Sequence, residues 1–216
     1  MAIYHFSVKI IKRSEGRSAV AAAAYRSGTK LTNEWDGITH DYTKKNWIEH
    51  SEIFLPVQAQ KCFGERSTLW NSVESIEKSG NAQLAREFEV ALPIELSEEE
   101  RYHLVQEFIQ KNLVERGMCV DLAIHNPPTT NGFHVPIDKD GNPTTDEKSM
   151  IFQNPHAHIM TTMRSLDADG NWMDKYEKSY LCRKDNEELA IPSSKIREAE
   201  AEGWQKQYRY FIGKKK

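Results

Sequence analysis

The stretch Asn154-Pro-His-Ala-His-Ile-Met-Thr-Thr162 decides the fold prediction, because apolar and titratable side chains alternate along it. In an extended chain Ala157 and Ile159 fall on one face, and the two histidines fall on the other. A period of two with one apolar face is typical of a strand in a sheet that is covered on one side. The pattern therefore predicts a strand over 156–164 whose histidine face is free for chemistry.

Two other segments show the same alternation. Residues 84–92 and 118–125 each place apolar side chains on one face and small or titratable ones on the other, with Glu87 and His125 among the latter. The apolar positions are Leu84, Phe88, Val90 and Leu92 in the first segment and Met118, Val120, Leu122 and Ile124 in the second. One sheet with a covered back and a front that carries the chemistry, to which all three strands belong, accounts for this pattern.

Helices that can cover the sheet are also visible in the sequence. Ser97 and Glu100 form a capping box, and apolar residues follow at helical spacing as far as Gly117. The alanine-rich segment 18–28 predicts a second helix, whose small side chains allow close packing. The sequence also predicts a strand over 3–11, a helix over 68–78, and a helix from Ser194 that includes Trp204, Tyr208 and Phe211. The stretch 29–60 is expected to be irregular apart from a small hairpin over 35–42, and 126–153 is expected to be a loop. Turns are predicted at 138–142 and 167–171, which lack the spacing of EF-hand calcium loops.

Composition limits the class of protein. The chain has 216 residues, of which 38% are hydrophobic and 28% charged, and this suits one soluble domain over 1–216. No apolar run approaches the ~18 residues of a membrane span, so membrane insertion is not expected. Cys62, Cys119 and Cys182 lack metal-type spacing and predict reduced thiols in a cytoplasmic protein. The net charge of −3 provides no overall basic field, so nucleic-acid binding would depend on local patches.

Three histidines form the sharpest candidate site. His156 and His158 point the same way on their strand, and His125 ends another strand on its titratable face. Three neutral imidazoles with open positions are typical of a catalytic metal site, and imidazole favours Mn, Ni, Co, Cu or Zn over Mg. A polar exposed face without a metal is the alternative that the pattern leaves open.

A tyrosine and a glutamate are the further candidates for chemistry. A metal at the histidines would serve to grip a phosphate, and the nucleophile would be water or a side chain. Tyr25 is the side-chain candidate, because it lies near the exposed end of a helix, close to Arg17 and Arg26. A phenol needs a base or a metal at neutral pH, and Glu87 could accept its proton or hold a ligand in place. The alternative is that Tyr25 only packs its helix on the sheet.

Five pieces of the sequence occur together and in a fixed order: Ala2-Ile-Tyr-His-Phe-Ser, Ser18-Ala-Val-Ala-Ala-Ala-Ala-Tyr-Arg-Ser-Gly, Leu84-Ala-Arg-Glu-Phe-Glu-Val-Ala-Leu-Pro, Val120-Asp-Leu-Ala-Ile-His and Asn154-Pro-His-Ala-His. Together they resemble the MobA/MobL relaxases, the MobQ-type members of the HUH endonuclease superfamily. The match spans most of the chain, and the joint occurrence is specific, whereas His-Ala-His alone would be weak. The resemblance implies an α+β fold, in which helices pack on the apolar face of a central antiparallel sheet.

The resemblance also implies an activity and its residues. Such a relaxase nicks one plasmid strand at the origin of transfer, oriT, and so starts conjugation or mobilisation. Tyr25 would attack the scissile phosphate and stay joined to the DNA 5′ end, and Glu87 would accept a proton or support a metal ligand. His125, His156 and His158 would hold a divalent metal ion, Mn²⁺ first, with Mg²⁺, Ni²⁺, Co²⁺ or Zn²⁺ as alternatives.

The implied partners are single-stranded or hairpin oriT DNA, relaxosome accessory proteins and a coupling protein. The implied setting is a monomer in the bacterial cytoplasm. Two departures from the family pattern are a longer interval between His125 and Asn154 and a chain that ends soon after the nuclease core. The second departure leaves open that the chain is the N-terminal part of a longer protein.

Two other functions stay open at this stage. One is a phosphodiesterase that uses metal-bound water, with Tyr25 only structural, and the other is a non-catalytic module that binds an origin hairpin. Local charge is compatible with DNA, since residues 1–50 hold eight Lys and Arg against five Asp and Glu, and residues 201–216 hold five against one. Candidates to stack on bases are Trp35, Trp47 and Trp172, although each also suits ordinary packing.

Overall fold

The computed structural model describes residues 5–176 and 178–207. Its strands are β1 (Phe6–Lys12), β2 (Lys30–Thr32), β3 (Thr39–Asp41), β4 (Ile48–Phe54), β5 (Gln83–Ala91), β6 (Val120–His125), β7 (His156–Thr162), β8 (Ser179–Lys184), β9 (Glu187–Pro192) and β10 (Gln205–Lys206). Its helices are α1 (Ala19–Ser27), α2 (Arg66–Ile76), α3 (Glu98–Asn112) and α4 (Ile196–Ala201). The chain divides into two compact units, 1–173 and 174–216.

A five-stranded sheet in the order β1-β5-β7-β6-β4 is the centre of the first unit. All of its neighbouring strands pair antiparallel. The histidine strand β7 lies in the middle, between β5 and β6, so the three strands predicted from the alternation are direct neighbours. The predicted α+β architecture with a central antiparallel sheet is confirmed.

The back of this sheet carries most of the apolar positions that the alternation predicts, although Leu84 packs in a separate core instead. Helix α3 packs there through Val105 and Ile109, and Ser97 begins the helix with the predicted capping box. The strands contribute Val120, Leu122, Ile124, Ala157 and Ile159 to the same core. Full burial of an aliphatic side chain contributes about 1.5–3 kcal/mol, so this layer is a major source of the stability of the sheet.

The front of the sheet is also covered over part of its area. Helices α1 and α2 form a second core there, which includes Met160 of β7 and Cys119 beside β6. Ala19, Ala23 and Ala24 of α1 are buried, because alanine lets a helix approach the sheet closely. The helices thus cover this part of the front, whereas the histidines at the start of β7 keep partial exposure.

Both ends of α1 are held by specific contacts. The Ser18 side chain caps the helix, and the buried carboxylate of Glu74 in α2 accepts the backbone N–H of Ala19 at 2.7 Å. At the other end Gly28 adopts φ +65°, the left-handed conformation that commonly ends helices. Contacts at its first turn and the glycine at its end thus fix where α1 begins and where it ends.

One edge strand, β4, is missing from the sequence-based prediction. It pairs with β6, and only Phe54 among its side chains is fully buried. The polar run 49–52 hides the strand, because an edge strand needs little apolar burial. The prediction of an irregular stretch over 29–60 is wrong here, and the small hairpin is formed by β2 and β3 rather than by 35–42.

The smaller predictions agree with the structure in most cases. Strand β1 begins at Phe6, and Tyr4 of the predicted strand lies outside the described residues. Helix α2 matches the prediction over 68–78, and 126–153 is a loop crossed by isolated β-bridges. At 138–142 and 167–171 an aspartate accepts backbone N–H groups in a turn. The three cysteines are unpaired. Within the described ranges no helix is both long enough and apolar enough for a bilayer.

The second unit is built on a three-stranded antiparallel sheet in the order β10-β8-β9. Its buried cluster contains Cys182, Ile191, Ile196 and Ala199, against which Trp204 packs. The helix predicted from Ser194 is limited to α4, because Gly203 adopts a non-helical φ of +95° and the helix does not continue to Trp204. Tyr208 and Phe211 lie outside the described residues. The β8–β9 hairpin is missing from the sequence-based prediction. In its turn Asp185 adopts the left-handed conformation that tight hairpin turns require.

Candidate metal centre and nucleophile

Three histidines from two neighbouring strands meet at one end of the central sheet. His125 ends β6 and stands opposite His156 of β7, and His158 follows two residues later on the same face. The ring centroids are 4.8 Å apart for His125 and His158, 5.0 Å for His156 and His158, and 5.5 Å for His125 and His156. The structure thus brings together the three residues that the alternation places on titratable faces.

Each imidazole uses one ring nitrogen in a hydrogen bond and keeps the other free. Nε2 of His125 lies 2.6 Å from the carbonyl oxygen of Arg26. Nδ1 of His156 lies 2.8 Å from the carbonyl oxygen of Asn154, and Nδ1 of His158 lies 2.9 Å from the carboxylate of Glu87. When these nitrogens donate, the free acceptors are Nδ1 of His125 and Nε2 of the other two rings.

Burial favours the neutral form of two of these histidines. It lowers the pKa of His125 to about 3, and it also lowers the pKa of His156. Neutral imidazole is the form that binds metal ions, so these rings do not have to lose a proton before they bind a cation near neutral pH.

The donor set fits a divalent metal ion that accepts imidazole nitrogen. One potential ligand atom from each histidine lies within 4.8 Å of the other two. Two nitrogens bound to one ion at ~2.1 Å lie no more than about 4.2 Å apart, so small ring rotations would bring the set into range. Hydrogen bonds from the outer ring nitrogens to a carboxylate or carbonyl oxygen are the usual surroundings of metal-binding histidines.

Glu87 is buried beneath the cluster and is fully engaged. Its side chain is 1% exposed, and its carboxylate accepts hydrogen bonds from His158 and from the guanidinium of Arg26. Burial alone would raise the pKa of Glu87, but the hydrogen bonds from His158 and Arg26 outweigh burial and lower it to about 2. The carboxylate is therefore charged at neutral pH and orients two neighbours.

Tyr25 occupies the last turn of α1, on the side of the sheet that carries the histidines. Its side chain is 47% exposed, and its ring contacts the edge of the Tyr42 ring at 5.2 Å between centroids. The next residue, Arg26, contacts both His125 and Glu87. Tyr25 is therefore not a buried aromatic that fixes its helix to the sheet, and its backbone is one residue away from the histidine cluster.

Two cations of this site have no role in the sequence-based prediction. Arg26 enters that prediction only as a neighbour of Tyr25, yet it joins α1 to Glu87 and His125. The ammonium group of Lys45 lies 3.6 Å from the centre of the Tyr25 ring, although Lys45 belongs to a stretch predicted to be irregular. Both contacts join distant parts of the chain, so no local pattern could indicate them.

The tryptophans considered for base stacking have protein partners. Trp35 lies under the Arg13 guanidinium at 3.8 Å, and Trp47 packs on Phe152 at 5.4 Å between ring centroids. Trp172 packs on Phe63 and donates a hydrogen bond to Ser72. Packing thus occupies at least one side of each ring.

Comparison with known proteins places this chain in a family. The model of the MobA/MobL family matches residues 17–215. Mobilization protein MobL of Acidithiobacillus ferridurans is 40% identical over 172 residues, which cover 79% of this chain and 45% of that protein. Conjugal transfer protein TraA of Agrobacterium fabrum (strain C58) is 37% identical over 180 residues, which cover 79% of this chain and 14% of that protein.

A solved structure described as "Molecular Basis of Vancomycin Resistance Transfer in Staphylococcus aureus" has the same fold. It aligns with a TM-score of 0.64 and 31% identity, over 93% of this chain and 86% of that chain. The fold defines a class of antiparallel-sheet proteins with helices on the sheet. Within this class, the chain belongs to the MobA/MobL family. It spans less than half the length of both curated relatives.

Proposed function

We propose that this chain is a DNA relaxase, which nicks one strand of plasmid DNA at an origin of transfer and later rejoins it. Family membership supports this function, since the two relatives are named for mobilization and conjugal transfer. The observation that carries the proposal is the hydrogen bond between the His125 ring and the Arg26 carbonyl. It ties the last turn of α1, and with it Tyr25, to the histidine cluster.

In the proposed reaction the phenolic oxygen of Tyr25 bonds to the scissile phosphorus while the bond from phosphorus to the 3′ oxygen breaks. The phenol loses its proton to solvent, and the released 3′ oxygen takes one up. The 5′ phosphate stays joined to Tyr25 in a phosphodiester, so attack by a 3′-hydroxyl can reseal the strand without ATP. A divalent cation bound at the histidines would draw negative charge from the non-bridging phosphate oxygens.

Glu87 supports the metal ligands in this proposal. A carboxylate with a pKa of about 2 is a weak acceptor for a phenolic proton at neutral pH, and it is already held by Arg26 and His158. By accepting from Nδ1 of His158 it directs Nε2 of that ring away from itself, toward the other histidines. Of the two roles expected for Glu87, we therefore propose the support of His158 rather than proton transfer.

The metal ion that we propose is Mn²⁺, with Mg²⁺, Ni²⁺, Co²⁺ or Zn²⁺ as alternatives to be compared directly. Three imidazole nitrogens suit the transition metals better than Mg²⁺, which prefers oxygen ligands. The described residues bring no carboxylate into this three-residue group.

We further propose a substrate and a setting. The substrate is single-stranded or hairpin oriT DNA, and the partners are relaxosome accessory proteins and a coupling protein. Residues 1–216 would act as one nicking domain, monomeric and cytoplasmic, at the N-terminal end of a longer relaxase. The greater length of both relatives is compatible with further regions.

A covalent adduct tests the proposed function. Oligonucleotides that tile the origin of transfer of a related mobilisable plasmid are incubated with the protein and Mn²⁺, then resolved on a denaturing gel. We expect an adduct that survives denaturation and that Tyr25→Phe abolishes. Tyr42→Phe, which changes the neighbouring ring, is the matched control and should keep the adduct.

Two other outcomes would replace this function. Cleavage without an adduct would indicate a phosphodiesterase that uses water, with Tyr25 only structural. Specific binding without cleavage, in the presence of each of the five metals, would indicate a non-catalytic module.

A further inference from the structure

Lys45 lies in a turn that packs against the end of α1. Its backbone N–H donates to the Tyr42 carbonyl at 2.9 Å, and the backbone N–H of Tyr42 in turn donates to the carbonyl of Thr29, just beyond the helix. A Cβ atom on Gly28 would lie 2.5 Å from the Ile48 side chain. The same Cβ would lie 3.7 Å from the carbonyl oxygens of Tyr42 and Lys45, so this segment packs directly against the helix end.

The Lys45 side chain makes two contacts with Tyr25. Its ammonium group lies 3.6 Å from the centre of the Tyr25 ring and donates a hydrogen bond to the Tyr25 carbonyl at 3.0 Å. The Tyr42 ring meets the Tyr25 ring edge-on, at an interplanar angle of 86°. Lys45 and Tyr42 together contact a ring that is otherwise nearly half exposed.

Lys45 also interacts electrostatically with charged and titratable groups of the candidate site. Burial, followed by the nearby Arg26, lowers the pKa of Lys45 to about 8, while Glu87 acts in the opposite direction. The same ammonium contributes to the lowered pKa of both His125 and His156. The contacts of Lys45 with the ring and the carbonyl of Tyr25 are the geometric basis for a role at this tyrosine.

Lys45 is also the less compensated of the two cations beside Tyr25. The Arg26 guanidinium is paired with the Glu87 carboxylate. Lys45 takes part in no ion pair within residues 5–176 and 178–207. Its neighbour Lys44 is exposed and makes no cation–π contact with the Tyr25 ring in the described part of the chain.

We infer that Lys45 is the positioning residue for Tyr25: its ammonium group orients the phenol ring for attack and balances the negative charge that develops on the phenolic oxygen. This inference rests on the proposed function, because it assigns Tyr25 as the nucleophile. We expect the Lys45 ammonium group to affect the rate of the covalent step more than the affinity for DNA, because its contacts are with Tyr25 itself.

The test compares Lys45→Met, Lys45→Arg and the matched control Lys44→Met. Adduct formation is timed at saturating oligonucleotide with Mn²⁺, and affinity is measured separately on an oligonucleotide that lacks the scissile phosphate. We expect Lys45→Met to slow adduct formation by about tenfold or more, a loss in the range of a desolvated cation–π contact. Its Kd should change less than about threefold, and Lys45→Arg, which keeps the charge, should recover most of the rate. Lys44→Met should match the wild type in both.

A second measurement does not depend on activity. The protein is labelled with 3-fluorotyrosine, and the ¹⁹F resonance of Tyr25 is assigned by its loss in Tyr25→Phe. We expect Lys45→Met to shift this resonance and Lys44→Met to leave it in place, with circular dichroism confirming that both variants are folded.

The two failures are distinguishable. If the wild type forms an adduct and Lys45→Met forms it within twofold of the same rate, the role of Lys45 is overturned and the proposed function stands. An unmoved ¹⁹F resonance would likewise overturn the contact itself. If the wild type forms no adduct, the proposed function fails, and this inference falls with it.

Discussion

Glu87 contributes both to the stability of the fold and to the orientation of the side chains in the candidate site. It is buried, accepts from Arg26 of α1 and from His158 of β7, and so joins a helix to the central strand. A buried charge of this kind is stabilising only while its partners are present, and removal of one member of such a pair costs about 3–5 kcal/mol.

Glu87→Gln should weaken both metal binding and the fold. Replacement of the charged acceptor for Nδ1 of His158 by a neutral amide should reduce affinity for Mn²⁺ by about 10-fold or more, within the usual range for a change of an outer partner of a metal ligand. Isothermal titration calorimetry measures the affinity. Glu89→Gln, which removes an ion pair with the exposed Lys9, is the control for stability and should change it by less than about 1 kcal/mol. Equal Mn²⁺ affinity in wild type and Glu87→Gln would contradict the assigned role.

The effect of Glu87→Gln on the free energy of unfolding should depend on pH. The pKa of Glu87 is about 2 in the folded protein against an ordinary value of 4.5, so the charged form is favoured by folding. Its contribution is present above pH ~4.5 and is lost as the pH falls toward 2. The difference in unfolding free energy between wild type and Glu87→Gln, measured in urea, should therefore shrink from pH 6 to pH 3. A difference that stays constant over this range would show that the carboxylate is not stabilised in its charged form.

At the scale of elements, the end of α1 is where the fold positions Tyr25, the proposed nucleophile. The helix is capped at Ser18, tied to Glu74 at its start, and stopped by Gly28 in a left-handed conformation. Beyond Gly28 the chain returns as the 42–48 segment, which presents Tyr42 and Lys45 to the Tyr25 ring. The ring is thus placed by contacts from the far side of a loop and not by its helix alone.

Gly28→Ala should destabilise the protein more than Gly16→Ala. Both glycines have nearly the same φ, +67° for Gly16 and +65° for Gly28, so the backbone penalty of roughly 1–2 kcal/mol is shared. Gly16 has open space around a new Cβ, whereas at Gly28 the Ile48 side chain must move. We expect the Gly28 variant to lose about 1 kcal/mol more in urea unfolding, a cost in the range of overpacking, and to form adduct more slowly. Equal losses would show that the 42–48 segment does not depend on this close approach.

Elements with a clear period are the ones that the sequence can predict. The alternation around His156 and His158 indicates both the central strand and a common direction for the two rings, and the Ser97 capping box indicates α3. Strand β4 cannot be found in this way, since an edge strand buries few side chains and its run 49–52 is polar. The roles of Arg26 and Lys45 are also beyond reach, because they arise from contacts between α1 and residues distant in sequence.

At the scale of the whole molecule, the first unit combines two packed cores with a partly exposed candidate site. Apolar cores on both faces of the sheet hold β6 and β7 in register, and this register sets the distances between the histidines. Catalytic groups are most effective when such packing fixes them in advance. Tyr25, in contrast, remains accessible to a large substrate such as a DNA strand.

The charge distribution is compatible with this substrate although the chain as a whole is slightly acidic. The carboxylates Glu98, Glu99 and Glu100 begin α3, on the back of the sheet, away from the histidine face. Lys45 and Arg26 lie on the histidine side. The proposed DNA binding therefore depends on the local arrangement of charge more than on the overall net charge.

The most direct test of the central claim is the site of covalent attachment. The adduct formed with Mn²⁺ and oriT oligonucleotide is digested with trypsin and nuclease and examined by tandem mass spectrometry. Cleavage after Arg17 and Arg26 yields the peptide 18–26, in which Ser18 and Tyr25 carry the only hydroxyl groups. We predict that the nucleotide remains on this peptide, at Tyr25. A nucleotide on any other residue, or its absence from every peptide of a reaction that has cleaved the DNA, would contradict the account.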